Sequence, residues 1–365
     1  MRETGREMEL VYKPDWGETK ERYLAWWQGE YFGRCAMWVT GRKEGTAGLA
    51  LPTAPEDPIA RWTDLSYLVE LNQWQHATTF WGGEAFPIWS GGYPGHTAIP
   101  AFLGCPTRLD HVTGWWEPVL LEAGWDVTGL RLQTEGRWWR FTLALLKTAA
   151  EASQGRSLPS IGAFGGCGDT LAALRGTEPL LLDCIETPAK VKAAELWLMD
   201  MWCEVYEMFA GLLHQSERGC ASWFPLWAPE RCYASHCDFA YNISPAMFQE
   251  IFLPAIERQT RFLKYVVHHL DGIGNFLHLP ALLEVPGIQA IEVLPGASKP
   301  SPLHFLHLLR EVQAAGKNLV LGLPPGEVED ALSLLSAKGL FIITHCETEQ
   351  EARDLLALVE RCSKE

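Results

Sequence analysis

The sequence predicts an α/β fold, a single (β/α)8 barrel of the TIM type with an N-terminal extension over residues 1–30. Strand-like and helix-like runs alternate through the last hundred residues, and this order needs parallel strands joined by crossover helices. The 365 residues suffice for one large barrel or for two domains. No Ser/Pro/Gly-rich linker or change of composition divides the chain, so one domain over 1–365 is favoured.

Four strand–helix units follow one another after residue 264. Each combines a short apolar run with an amphipathic run. Ser301-Pro302 is a favourable N-cap and first-turn pair, and Gly316 ends the helix that it begins. The strands are expected at 264–270, 289–294, 318–321 and 340–344, and the helices at 276–283, 301–316, 326–338 and 347–361.

Two longer helices and four further strands are expected upstream. Thr187-Pro188 begins a helix with apolar residues at three- and four-residue spacing, and Ser244-Pro245 begins another with a kink at Pro254. The further strands are expected at 34–40 and 85–89 and within the glycine-bearing segments 159–168 and 219–227. The total approaches the eight strands of a barrel.

The charge and the cysteines limit the partners and the compartment. With 30 basic and 45 acidic residues the net charge is -15, so nucleic acid and anionic membranes are not expected to bind. The N-terminus resembles neither a signal nor a transit peptide, and no window approaches the ~18 apolar residues of a membrane span. Ten cysteines without a Cys-x-x-Cys pair indicate reduced thiols. We expect a cytoplasmic protein with a small-molecule substrate.

Tryptophan is concentrated in the first part of the chain, where 13 of the 17 lie before residue 140. One interpretation is core packing, because buried indoles contribute large apolar area. The other is an aromatic wall for a flat or bulky ligand. Trp89, Tyr93 and His96, beside the glycines of segment 91–95, are the candidates for substrate contact on that second interpretation.

The strongest polar motif is His268-His269-Leu270-Asp271-Gly272, which ends a predicted strand. The carboxyl ends of barrel strands form the active-site face. His269 and Asp271 are two residues apart on an extended chain and therefore point to the same side. Such a pair suits metal ligation or acid–base catalysis, and the alternative is that it caps a turn.

Three further candidates lie at predicted strand ends or in loops. His345 and Cys346 end the last strand, so Cys346 is a candidate metal ligand and His345 is a candidate to hydrogen-bond a substrate carboxylate. Asp238 is expected to be a polar substrate anchor in the loop before the Ser244-Pro245 helix. Glu84, in the turn Gly82-Gly83-Glu84, is a further candidate catalytic carboxylate.

Two segments resemble the uroporphyrinogen decarboxylase superfamily. They are the helix motif Ser-Pro-Ala-Met-Phe-Gln-Glu-Ile-Phe-Leu-Pro over 244–254 and the strand end Val-Val-His-His-Leu-Asp-Gly over 266–272. The resemblance extends from about residue 159 to the end, and it implies a TIM barrel. The arginine-rich motif of the true decarboxylases, Arg-Gln-Ala-Gly-Arg, does not occur here.

The resemblance implies two enzymatic functions. The corrinoid- or thiol-dependent methyltransferases of the superfamily bind zinc through His-x-Cys and a later Cys, and the matching positions are His269, Asp271 in place of the first Cys, and Cys346. This implies transfer of a methyl group between a small donor or a corrinoid and a thiol, with a corrinoid protein as a further partner. The alternative is a cofactor-free decarboxylase of a carboxylated ring, with Asp271 or Glu84 stabilising a developing cation. A barrel that only carries a corrinoid or tetrapyrrole is the third hypothesis.

Overall fold

The computed structural model describes residues 10–89 and 95–365. The strands within these residues are β1 Ala36–Arg42, β2 Thr79–Gly83, β3 Ile88–Trp89, β4 Thr107–Leu109, β5 Gly114–Trp116, β6 Leu158–Pro159, β7 Cys220–Ala221, β8 Trp227–Ala228, β9 Cys232–His236, β10 Tyr265–Asp271, β11 Ala290–Leu294, β12 Asn318–Gly322 and β13 Leu340–Thr348. The α-helices within them are α1 Trp16–Trp27, α2 Pro58–Thr63, α3 Leu65–Thr78, α4 Ile99–Phe102, α5 Arg137–Ala152, α6 Asp169–Arg175, α7 Thr177–Glu186, α8 Pro188–Leu212, α9 Gln215–Arg218, α10 Pro245–Met247, α11 Leu253–Phe262, α12 Leu279–Leu283, α13 Leu306–Ala314, α14 Val328–Leu334 and α15 Glu349–Cys362.

A seven-stranded sheet in the order β2-β1-β13-β12-β11-β10-β9 forms the centre of the fold. Its neighbouring strands are parallel, except that β2 runs antiparallel to β1. The mixed α/β class is therefore confirmed. β3 and β6 form a separate parallel pair, and a single parallel bridge joins Ile161 to Ser222. Closure of the strands into an eight-stranded barrel stays a prediction.

The C-terminal strand–helix units are confirmed. β10 to β13 each begin within one residue of the predicted start, and β13 continues to Thr348 because it pairs along β1 as far as Arg42. The Ser244 hydroxyl accepts a hydrogen bond from the Met247 N–H at 3.3 Å, as an N-cap does. A π-helical turn over Phe248–Phe252 precedes Pro254, where a kink was expected.

Several segments differ from the prediction. β9 is not among the predicted strands, because Cys-Tyr-Ala-Ser-His lacks the branched apolar residues typical of a buried strand. Segment 219–227 forms the short antiparallel pair β7 and β8, and only residue 159 of the candidate segment 159–168 lies in a strand, β6. The antiparallel edge strand β2 was missed.

Helix α1 packs against the amino ends of the parallel strands. The Trp26 indole N–H donates to the Gly339 carbonyl at 3.0 Å, and the Asn318 amide donates to the Trp26 carbonyl at 2.6 Å. The Tyr23 ring stacks on Phe341 with centroids 5.9 Å apart. The predicted extension over 1–30 thus contains a helix of the main core, since Trp26 and Tyr23 are buried.

Packing accounts for most of the early tryptophans. Seven of the thirteen before residue 140 are buried: Trp16, Trp26, Trp27, Trp38, Trp89, Trp125 and Trp139. Trp115 is an exception, because 47% of it is exposed on the β4–β5 hairpin. Among the described residues, none of the helices combines the length and apolarity that crossing a membrane requires.

Candidate active site

Polar side chains form a row near the carboxyl ends of β9, β10 and β11. His236 pairs with His269 and His269 pairs with Glu292 in the parallel register, so the three side chains project from one face of the sheet. This edge of a parallel sheet is where α/β enzymes bind their substrates. We call the space above the row the mouth.

Glu292 orients the ring of His269. The Glu292 carboxylate is hydrogen-bonded to His269 Nδ1, and the two side chains are only 9% and 14% exposed. Burial opposes the charged ring, but the hydrogen bond and the charge of Glu292 outweigh it and raise the pKa of His269 above its ordinary value. Nε2 is left to face Asp271, whose Oδ2 lies 4.0 Å away. The ring is placed as a general base or acid.

Asp271 presents a carboxylate oxygen that has no hydrogen-bond partner among the described residues. Burial, with the charges of Asp238 and Glu292, raises the pKa of Asp271 although His269 acts against the shift. The following turn is fixed by the Asn275 amide, which donates to the Asp271 carbonyl at 2.6 Å, and by Gly272 at φ +87°. The backbone of Asp271 is therefore part of the turn, and its side chain faces the mouth.

A second pair, His236 and Asp169, lies beside the first. Their Nε2 and Oδ2 atoms are 3.7 Å apart, and the Asp169 carboxylate accepts the backbone N–H groups of Asp238 and Phe239 at 3.1 and 2.8 Å. Burial raises the pKa of Asp169 to about 6, although His236 acts against it. A Cβ at Gly166 would come within 2.3 Å of the His236 ring, which explains a glycine at that point of segment 162–168.

An indole joins the two histidines. Trp223, in the loop between β7 and β8, lies edge-on to His269 with centroids 5.2 Å apart and edge-on to His236 at 5.7 Å. Phe224 lies 6.4 Å from His269. These rings exclude water from one side of each imidazole and fix its plane.

Two clefts open from the mouth and share Asp238. The smaller cleft, about 260 Å³, is lined by Asp238, Tyr241, Asp271, Gly272, Ile273, Pro295, Gly296, Ala297 and Lys299. The larger cleft, about 450 Å³, is lined by Trp115, Trp116, Pro118, Asp169, Ala172, Ala173, Gly176, Thr177, Asp238, Phe239 and Asn242. Asp238 thus lies at the mouth, where the sequence analysis expected a polar anchor.

The neighbouring His268 has a different environment. Its Nδ1 lies 2.9 Å from the Ser235 hydroxyl, and the ring is 2% exposed on the other face of β10. Burial lowers the pKa of His268 to about 3, so the ring is neutral. His268 is therefore a packed core residue.

Of the three predicted metal ligands, Cys346 does not join His269 and Asp271. His269 is level with Phe341 across β11 and β12, and Cys346 lies five residues beyond Phe341 on β13. Side chains alternate along a strand, so this odd offset places Cys346 on the opposite face of the sheet. Cys346 is buried, and burial raises the pKa of its thiol. Within residues 10–89 and 95–365 no three His, Cys, Asp or Glu side chains are arranged to hold a metal ion, so zinc does not fit the set His269, Asp271 and Cys346.

The other two catalytic candidates differ in their position relative to this cluster. His345 lies four residues beyond Phe341 on β13, and this even offset places it on the same face of the sheet as His269. His345 is exposed near the end of β13, and its Nδ1 lies 2.9 Å from the Thr40 hydroxyl. Glu84 is fully buried beside the amino end of β1, where it forms ion pairs with Arg22 and Arg34. Glu84 therefore lies at the opposite edge of the sheet from the mouth with its charge neutralised, and this position does not support the catalytic role that the sequence suggested.

The aromatic substrate contacts predicted around residues 89–96 are not found at the mouth. Trp89 and His96 are buried and line neither cleft, and Trp138 and Phe141 lie 5.3 Å from the His96 ring. Tyr93 lies outside the described residues. The side chains of Trp89 and His96 are therefore part of the packed interior.

Sequence reasoning missed two carboxylates. Glu292 is the one charged residue in the apolar strand Ala-Ile-Glu-Val-Leu, and a lone charge in a buried strand needs a buried partner. Asp169 is the first residue of α6, directly after the glycine-rich segment 162–168. Both signals were present in the sequence.

Comparison with known proteins supports the fold. No family model and no curated protein matches the chain. Among solved structures, the chain is similar to a methyltransferase from Methanosarcina mazei, with a TM-score of 0.62 and 15% identity over 94% of this chain and 98% of that chain. At this identity the likeness shows a shared fold over nearly the full length of both chains.

Proposed function

We propose that the protein is a methyltransferase, related to the uroporphyrinogen decarboxylase superfamily, that moves a methyl group from a corrinoid or a small methyl donor to a thiol. The single observation that carries the proposal is the pair His269 and Glu292 at the carboxyl edge of a fold shared with a methyltransferase. Methyl acceptors must be deprotonated before they attack carbon, and an oriented imidazole supplies a base.

Each group at the mouth has a defined task in this proposal. His269 Nε2 takes the proton of the thiol, and Glu292 holds the Nδ1–H tautomer. Asp271, 4.0 Å from Nε2, stabilises the imidazolium that forms. Trp223 and Phe224 keep water from the ring. Zinc stays a prediction without a suitable ligand set, and none of these steps depends on it.

The test is methyl transfer by the purified full-length chain. Methylcobalamin, and separately a panel of small methyl donors, are incubated with 2-mercaptoethanol, and the methyl thioether is measured by mass spectrometry. Product formation above the rate without protein supports the proposal. Folded protein that forms no thioether from any donor contradicts it.

A parallel incubation with uroporphyrinogen tests the alternative reaction. Of the two carboxylates first considered for a decarboxylase, Asp271 alone lies at the mouth. Release of CO2 without methyl transfer moves the assignment to a decarboxylase that uses Asp271.

A further inference from the structure

The larger cleft combines indole rings with carboxylates. It is lined by Trp115 and Trp116 of β5 and by Asp169 and Asp238. Trp115 is 47% exposed, so its ring surface is accessible to a ligand. Ligand pockets are lined mainly by apolar and aromatic side chains, so an exposed indole in a concave site is suited to contact a ligand.

The hairpin that carries the two indoles is held in place. A Cβ at Gly95 would come within 2.7 Å of the Trp116 ring, so a glycine there lets the backbone pack closely against the indole. The Trp62 indole N–H donates to the Asp110 carbonyl at the hairpin turn at 2.7 Å. The aromatic surface is therefore fixed before a ligand arrives.

The charge of the larger cleft is negative. Its described lining residues include no lysine or arginine, and Lys299 lines only the smaller cleft. The Asp169 carboxylate is already bonded to two backbone N–H groups, whereas the exposed Asp238 carboxylate makes no hydrogen bond to another described residue. The chain as a whole carries -15. An anionic ligand is disfavoured here and a cation is attracted.

We propose that the larger cleft binds a small onium cation, a methylated ammonium or sulfonium group, as the methyl donor. A fully substituted ammonium or a sulfonium centre has no N–H to donate, so that centre is recognised by ring faces and nearby carboxylates rather than by hydrogen bonds. The role of the cation as methyl donor rests on the proposed function, whereas its binding to the larger cleft does not. The thiolate sulfur forms the new S–C bond, the C–N or C–S bond of the donor breaks, and the leaving group departs as a neutral amine or thioether. His269 holds the thiol proton until it transfers the proton to water.

Calorimetric titration of the full-length protein tests the cation directly. Choline is compared with 3,3-dimethyl-1-butanol, a neutral molecule of the same shape, and tetramethylammonium is a second probe. We expect choline to bind at least about tenfold more tightly than the neutral alcohol. Equal affinity for both overturns the inference.

Variants locate the binding. Trp115→Ala and Asp238→Asn are each expected to weaken choline binding by about tenfold. Trp74→Ala and Asp354→Asn, which change the same residue types outside the larger cleft, are the matched controls and should bind as wild type does. Wild-type affinity in both cleft variants contradicts the assignment. Circular dichroism of each variant verifies its folding.

The outcomes separate this inference from the proposed function. Selective choline binding without methyl transfer from any donor supports the cation cleft and contradicts the methyltransferase assignment. Methyl transfer from methylcobalamin without selective onium binding supports the methyltransferase assignment and contradicts the cation cleft. Selective binding together with demethylation of the onium probe supports both.

Discussion

Carboxylates at the two edges of the central sheet have opposite environments. At the amino edge, the Glu84 carboxylate is fully buried and receives hydrogen bonds from Arg22, Arg34 and the Met37 N–H. At the carboxyl edge, Asp238 and Asp271 line open clefts. Both edges contain carboxylates, but only one leaves oxygens for a ligand.

This difference explains why residue type alone misidentified a catalytic carboxylate. A buried acid with paired cations stabilises the folded chain, and its removal leaves uncompensated charge. A carboxylate that lines a cleft beside other carboxylates lowers the stability of the folded chain. Its function is therefore to bind a ligand. Substitutions at the amino edge should therefore change stability, and substitutions at the carboxyl edge should change turnover.

The largest expected effect on stability is at Glu84. Glu84→Ala leaves Arg22 and Arg34 without their shared partner, so the free energy of unfolding should fall by about 3–5 kcal/mol. Arg34 and Arg22 outweigh burial and hold the pKa of Glu84 below its ordinary value, so this stability is present at neutral pH and is lost on acidification. Urea unfolding measures the change. Glu135→Ala, in an exposed ion pair with Arg140, is the matched control and should cost less than about 1 kcal/mol.

The next effect is on catalysis, through Glu292→Gln. Loss of the carboxylate should lower the rate by about 10- to 100-fold, as expected for a group that orients a catalytic histidine. The neutral His269 is the base, so the wild-type rate should rise with pH through a pKa above the ordinary value of about 6.5. In Glu292→Gln the Glu292 charge no longer offsets burial and only the charges of Asp238 and Asp271 still favour the charged ring, so this rise should move to lower pH. If the rate of Glu292→Gln rises over the same pH range as the wild-type rate, the pairing of Glu292 with His269 is contradicted.

A smaller effect of opposite sign is expected at Asp271. Its pKa is raised in the folded protein, so its charged form costs stability at neutral pH, and the cost disappears as the pH falls through that pKa. Asp271→Asn should therefore leave the free energy of unfolding at pH 7 unchanged or raise it, by less than about 1 kcal/mol because solvent screens this part-exposed side chain. Paired urea titrations at pH 7 and pH 5 measure it. Marked destabilisation at pH 7 would show a structural role instead.

The smallest effect is expected at Cys346. Because its thiol lies on the other face of the sheet from His269, Cys346→Ala should keep turnover per folded molecule within about twofold of wild type. Elemental analysis of both proteins, purified without chelators, should show equal zinc content. Zinc that is present in wild type and lost in both Cys346→Ala and His269→Ala would restore the predicted metal site.

The pattern of residues predicted the repeating part of the fold far better than the site. Periodicity located β10 to β13 because each is a largely apolar strand followed by a helix. The face on which Cys346 lies depends on register across four strands, and sequence spacing within one strand does not contain that information. The role of Glu84 likewise depends on Arg22 and Arg34, which lie 62 and 50 residues away along the chain.

The most direct test of the account is the rate of methyl transfer to a thiol by His269→Ala. The variant leaves the nearly buried Glu292 carboxylate without its partner, so its free energy of unfolding should fall, and its rate per folded molecule should fall by about 100- to 10,000-fold. Trp223→Phe, which keeps a ring against His269, should retain most of the activity. A folded His269→Ala protein that transfers methyl groups at the wild-type rate would contradict the assignment of the carboxyl edge as the catalytic site.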